Sequence, residues 1–145
     1  YPTYSLQMEL LLHLKLDISK KYEIVGVPKC GTSSLGEYMR RLGYDVIESE
    51  LQFSNPNYKT DRTPIIITRD PIERVWSDFN FFNRSLKESC EWSKYEKYIK
   101  LWHEPVIYTL EELSKLDDFP HHNENIIKPQ LDEQTRNKIV MELEN

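Results

Sequence analysis

The stretch from Tyr22 to Leu35, YEIVGVPKCGTSSL, restricts the architecture of this chain more than any other. Ile24-Val25-Gly26-Val27 is a short apolar run that reads as a buried strand. Pro28 to Ser34 then supply a lysine, a glycine and three hydroxyls, and a helical pattern follows with Leu35, Met39 and Leu42 on one face. Strand, loop and helix in this order make an anion site, because the first amides of a helix lack internal partners and lie at the positive end of its dipole. Lys29 adds a full charge beside them. The spacing Gly26-x-x-x-x-Gly31-Thr32-Ser33 nearly reproduces the phosphate loop G-x-x-x-x-G-K-[ST], with Thr32 in the lysine position and the lysine moved forward to Lys29. A nucleotide triphosphatase sets that lysine on the β- and γ-phosphates, so its displacement argues for a differently shaped anion. A plain strand-to-helix turn capped by Thr32 or Ser34 uses the same residue types, and the loop alone does not separate the two readings.

With 145 residues the chain reads as one domain, long enough to bury about two-thirds of its unfolded surface. Charged residues at 30% and apolar ones at 39% indicate a globular rather than a disordered chain, and a net charge of −5 argues against a general nucleic-acid surface. The two cysteines, Cys30 and Cys90, are too few for a disulfide framework, which points to a reducing, cytoplasmic setting. No run approaches the length of a membrane span, so no membrane partner is expected for this chain.

Leu10 to Ser19 alternates, with Leu14, Leu16 and Ile18 on one face, and predicts an edge strand or peripheral extension within residues 1–20; His13 on its polar face reads as solvated. Lys20-Lys21 turn the chain into the central strand. Gly43 suits the end of the first helix, Arg40 and Arg41 suit the negative end of its dipole, and Tyr44 to Ile47 predict a second strand. Glu48 to Thr63 is a polar surface excursion of the kind that builds sites at strand ends. Thr63 to Arg69 is another buried strand, running into a helix with Asp70 as N-cap, Pro71 at the first position and Glu73 completing a capping box. Ile72, Val75, Trp76 and Phe79 form its core face and Glu73, Ser77, Asn80 and Arg84 its polar side. Singly, Arg69 reads as a solvated arginine at a strand end and Ser77 as a surface serine. Trp92, Tyr95, Ile99 and Trp102 share one helical face and read as core rather than as an adenine platform. A last helix carries Leu131, Ile139, Val140 and Leu143. His121-His122 lack further ligands at metal-binding spacing, and no metal is expected.

Taken together, Pro28-Lys29-Cys30-Gly31-Thr32-Ser33-Ser34-Leu35 and Arg69-Asp70-Pro71-Ile72-Glu73-Arg74-Val75-Trp76-Ser77 resemble the paired motifs of the sulfotransferases that use 3′-phosphoadenosine 5′-phosphosulfate. The first motif of that family, PK-x-G-T-[ST]-x-L, wraps the 5′-phosphosulfate; the second, R-[DN]-P-x-x-R-x-x-S, holds the 3′-phosphate through its Arg and Ser. The resemblance implies that Lys29, Cys30, Gly31, Thr32, Ser33 and Ser34 bind the 5′ end and that Arg69 and Ser77 bind the 3′-phosphate. Glu50-Leu51-Gln52-Phe53 with Asn57-Tyr58-Lys59 is similar to the heparan and Golgi-type segment E-[IV]-[HQ]-F-F … N-Y-x-K-G, whose glutamate is the catalytic base. Ser54 and Thr60 replace its second Phe and its Gly. Val106 to Leu113 resembles the strand and turn written Y-E-D-L, and Phe119-Pro120 with Asn123 and Asn125 the loop after it; a later glycine- and lysine-rich loop has no match.

The expected fold is therefore a three-layer α/β domain over residues 1–145, of the phosphate-loop type, with a mostly parallel central sheet flanked by helices and its ligand at the carboxyl ends of the strands. The expected function is sulfuryl transfer from 3′-phosphoadenosine 5′-phosphosulfate to a hydroxyl or amine of a small-molecule or carbohydrate acceptor. Lys29 would stabilise charge on the leaving oxygen and Glu50 would remove the acceptor's proton, with Glu48, of the same strand phase, as the alternative base. A nucleotide or small-molecule kinase shares the fold and loop, and a non-catalytic nucleotide-binding module fits the reduced length.

Overall fold

In the computed structural model, which describes residues 16–121 and 128–145, four parallel strands form the sheet. They are β1 (Lys21–Ile24), β2 (Asp45–Glu48), β3 (Thr63–Thr68) and β4 (Val106–Thr109), in the spatial order β2-β1-β3-β4. Helix α1 (Thr32–Arg41) connects β1 to β2, and α2 (Pro71–Phe82), α3 (Leu86–Glu91) and α4 (Tyr95–Ile99) lie between β3 and β4. The short α5 (Leu110–Leu113) follows β4 directly, and α6 (Glu133–Glu144) packs on α2 and α3. This is a three-layer α/β fold with its sheet flanked by helices.

The sheet is parallel because each crossover is long enough to return the chain to the same end, and its inner strands are apolar because helices flank the sheet. Ile24, Val25, Ile65, Ile66 and Ile67 have no exposure, and α1 adds Leu35 and Met39 to the same core. Each such side chain contributes roughly 1.5–3 kcal/mol of apolar burial. A second cluster joins Val75 and Trp76 of α2 to Cys90 and Ile139. Leaving β1, the chain goes to β2 on one side, whereas leaving β3 it goes to β4 on the other. The divide between β1 and β3 is a switch point, and the crevice beyond the carboxyl ends of these strands is where the topology leaves room for a ligand.

Several expectations are corrected. Residues 16–19 form a turn, not an edge strand: Asp17 Oδ1 accepts from Ser19 N at 2.9 Å and Ser19 Oγ at 2.7 Å, a local bond that competes with strand pairing. Residues 10–15 and His13 lie outside the described residues. The first ladder runs Lys21–Ile24 and ends before Val27, although Val25 N still donates to Ile65 O at 3.1 Å. The helical face Trp92-Tyr95-Ile99-Trp102 is broken, since α3 ends at Glu91 and α4 begins at Tyr95; all four side chains nevertheless pack against the main core. Asp70 caps α2 by accepting from Ile72 N and Glu73 N, but its own amide donates to Glu111 at 2.7 Å instead of closing a capping box with Glu73.

Candidate functional site

The first loop is shaped by three positions with positive φ, two of them glycines. Gly31 (φ 85°) caps α1 without a side-chain bond, and a Cβ there would stand 2.6 Å from Leu110 Cδ1. Gly26 (φ 121°) lies under the excursion, where a Cβ would meet both Glu50 O and Phe53 Cβ at 2.8 Å. Glycine is required at both for space and for φ. Lys29 is also left-handed (φ 63°), an uncommon state for a residue with a side chain. It is 8% exposed, with Nζ 3.8 Å above the ring of Phe81. Burial holds its pKa below the ordinary lysine value, with Glu50 opposing and Arg69 and Lys128 reinforcing the shift.

Beyond the strand ends lies a cavity of about 300 Å³ that both motifs line: Gly31 and Ser34 from the first, Arg69 and Ser77 from the second. Ser77 is 3% exposed and is no surface serine. It is buried although Glu73, one turn earlier on the same side of α2, is exposed, which the amphipathic pattern alone did not reveal. Lys128 also lines the cavity, its pKa lowered by burial and then by Arg69, so two cations share one wall. Leu110 (which lies against Gly31), Phe119 and Pro120 add apolar surface to the lining, and Ser114 and His121 add polar groups. A crevice lined by two cations and by apolar side chains suits an anion joined to a flat ring.

The remaining predicted residues divide. Thr32, 6% exposed, donates to Glu50 Oε1 at 3.2 Å, which sets that carboxylate against the start of α1. Glu50 opens a 3₁₀ turn (Glu50–Gln52), so strand phase does not continue from β2. Glu48 is directed instead at Arg40, 3.2 Å away, and its carboxylate carbon would meet a Cβ at residue 36 at 2.8 Å. Cys30 is fully buried with Sγ 3.8 Å from Tyr95 Oη, and burial pushes its thiol up to about 12. Its side chain faces the core, leaving the main chain as its available contribution. Ser33 is exposed and outside the cavity lining.

Arg74 was missed as a site residue. It is fully buried in α2, where the apolar pattern gave no warning of a charge. Its guanidinium donates to Asp78 Oδ2 at 3.0 Å, Ser93 Oγ at 2.5 Å, Ser89 O and, at 3.0 Å, to Pro28 O in the first loop. One residue along, Lys29 O accepts from Arg69 at 2.8 Å. Two consecutive carbonyls of the first motif are thus held by two arginines of the second. Tyr95 adds a third link by donating to Arg69 O at 3.0 Å. The sequence signal was Arg74's place within the second motif.

Among the described residues no cluster of three or more His, Cys, Asp or Glu is arranged for a metal ion, and no helix is long and apolar enough to cross a membrane. Cys30 and Cys90 are both free thiols. No protein-family model, no curated protein and no solved structure matches this chain.

Proposed function

We propose that the protein is a sulfotransferase that moves a sulfuryl group from 3′-phosphoadenosine 5′-phosphosulfate to an acceptor hydroxyl or amine. The observation that carries the proposal is the convergence of Gly31 and Ser34 with Arg69 and Ser77 on one cavity beyond the strand ends. A donor with two separated anions fits that arrangement. The amides at the start of α1 would face the 5′ end, Arg69, Ser77 and Lys128 the 3′-phosphate, and Phe119 and Pro120 the base; Lys29 lies outside the cavity lining, near Glu50 and Arg69, and would act from there.

In the transfer, the bond between sulfur and the bridging phosphate oxygen breaks while the acceptor oxygen or nitrogen bonds to sulfur. Lys29 stabilises the charge left on the bridging oxygen, and a poorly hydrated ammonium does so more strongly than one in water. Glu50, held by Thr32, takes the acceptor's proton. Glu48 is the weaker alternative because its carboxylate is committed to Arg40. Thermal unfolding tests the donor class. Adenosine 3′,5′-bisphosphate should raise Tm more than ATP or ADP at equal concentration, because selective binding to the native state stabilises it in proportion to occupancy. Greater stabilisation by ATP would favour a kinase.

A further inference from the structure

Glu23 is a carboxylate in the middle of β1, paired with β2 on one side and β3 on the other, and it has no solvent exposure. A charge so placed is costly unless it is well bonded. Its partners come from the polar excursion between β2 and β3. Tyr58 Oη donates to one carboxylate oxygen, and Thr60 Oγ1 donates to the other at 2.6 Å. Burial pushes the Glu23 carboxyl upward, but hydrogen bonds from Ser49, Thr60 and Tyr58, helped by the Arg62 charge, outweigh it and leave the pKa below its ordinary value. Tyr58 and Arg62 are the titratable and charged groups that face it. The near end of the excursion is tied to the same strand, since Ser49 N donates to Ile24 O at 2.8 Å. Glu50 is the next residue. Its carbonyl lies over Gly26, and Phe53, fully buried, fills the space beside it.

We propose that Glu23 is a positioning residue for Glu50: it clamps the 49–60 excursion onto β1 and so holds the Glu50 carboxylate against Thr32 at the mouth of the loop. The role in turnover rests on the sulfotransferase reading; the clamp does not. Carboxylate chemistry suits the task because two oxygens accept from two hydroxyl donors at once, whereas a glutamine keeps one acceptor and sets an NH₂ against the other hydroxyl.

The test uses the full chain and the donor 3′-phosphoadenosine 5′-phosphosulfate with water as acceptor, read as release of sulfate and adenosine 3′,5′-bisphosphate. Water bonds to sulfur, its proton passes to Glu50, and the bisphosphate leaves. Glu23→Gln should lower kcat by about tenfold or more, within the range of a displaced general base, while the Kd for adenosine 3′,5′-bisphosphate changes less than about twofold. In a Glu50→Gln background the same substitution should cost nothing further, because a residue that acts through another loses its effect when the other is gone. The Tyr58→Phe/Thr60→Val pair removes the clamp from the opposite side and should reproduce the kcat loss if Glu23→Gln does not fold. Hydrogen exchange supplies a readout independent of activity: amides of residues 49–60 should exchange at least about tenfold faster in the variant, with those of α2 unchanged. Equal exchange in parent and variant, or a full multiplicative loss in the double variant, would overturn the proposal. If the parent neither binds the bisphosphate nor releases sulfate, the functional reading falls, and exchange alone decides the clamp.

Discussion

At the scale of single residues, Arg69 and Lys29, two of the three cations of the motifs, divide by what their surroundings allow. Arg69 lines the cavity beside Ser77 and Lys128, so it should report on the 3′-phosphate. Arg69→Ala should weaken adenosine 3′,5′-bisphosphate by about 1.5–3 kcal/mol, the worth of a hydrogen bond to a charged group. Adenosine 5′-phosphate should lose much less, and calorimetry giving equal losses would remove the assignment. Lys29 is nearly buried and rests on Phe81, and on the proposed reading it would act on charge that develops during transfer. Lys29→Ala should cut turnover about a hundredfold or more, as loss of an electrostatic stabiliser does, while bisphosphate binding stays measurable; single-turnover kinetics at saturating donor would show it. That Gly31 and Arg69 meet at one cavity was legible because each sits at a boundary between strand and helix. The burial of Glu23 was not legible, because a buried charge is betrayed by its partners, and Tyr58 and Thr60 lie far from it in sequence.

At the scale of elements, start signals were the most readable part of the chain. Asp70-Pro71 begins α2 where the N-cap and N1 preferences require, and Gly43 (φ 93°) follows the end of α1 in the left-handed state that ends helices. Asp70→Ala should destabilise the protein by about 1 kcal/mol, seen as a lower urea midpoint with an unchanged m-value. A fall in m as well would mean that α2 had frayed in the native state. What could not be read was how one element satisfies another: the Asp70 amide is met by Glu111 from α5, not by Glu73 within its own helix. The break between α3 and α4 has the same origin. Ser93, 5% exposed, accepts from Arg74 and donates to Pro71 O, so a partner in α2 overrides the helical period of Trp92, Tyr95, Ile99 and Trp102.

At the scale of the whole molecule, the α/β class and the parallel sheet followed from apolar runs alternating with helical patterns, whereas the strand order required the register of β1 between β2 and β3. Folding also sets a pH response. Glu23 is held below its ordinary 4.5 in the folded state, so the stability it gives is fully present above that value and is lost as pH falls through the folded one. The difference in unfolding free energy between the parent and Glu23→Gln should therefore be constant from about pH 8 to about pH 5.5 and shrink below about pH 4.5. Urea titrations at a series of pH values would check this, and a difference that stays flat to about pH 3 would mean that folding does not lower the carboxyl's pKa. Because Pro28 O and Lys29 O accept from Arg74 and Arg69, the backbone of the first motif and the arginines of the second are held in place together. The carbonyls come from the main chain, so it is the two arginine side chains, and not the residue types at 28 and 29, on which this link between the motifs depends.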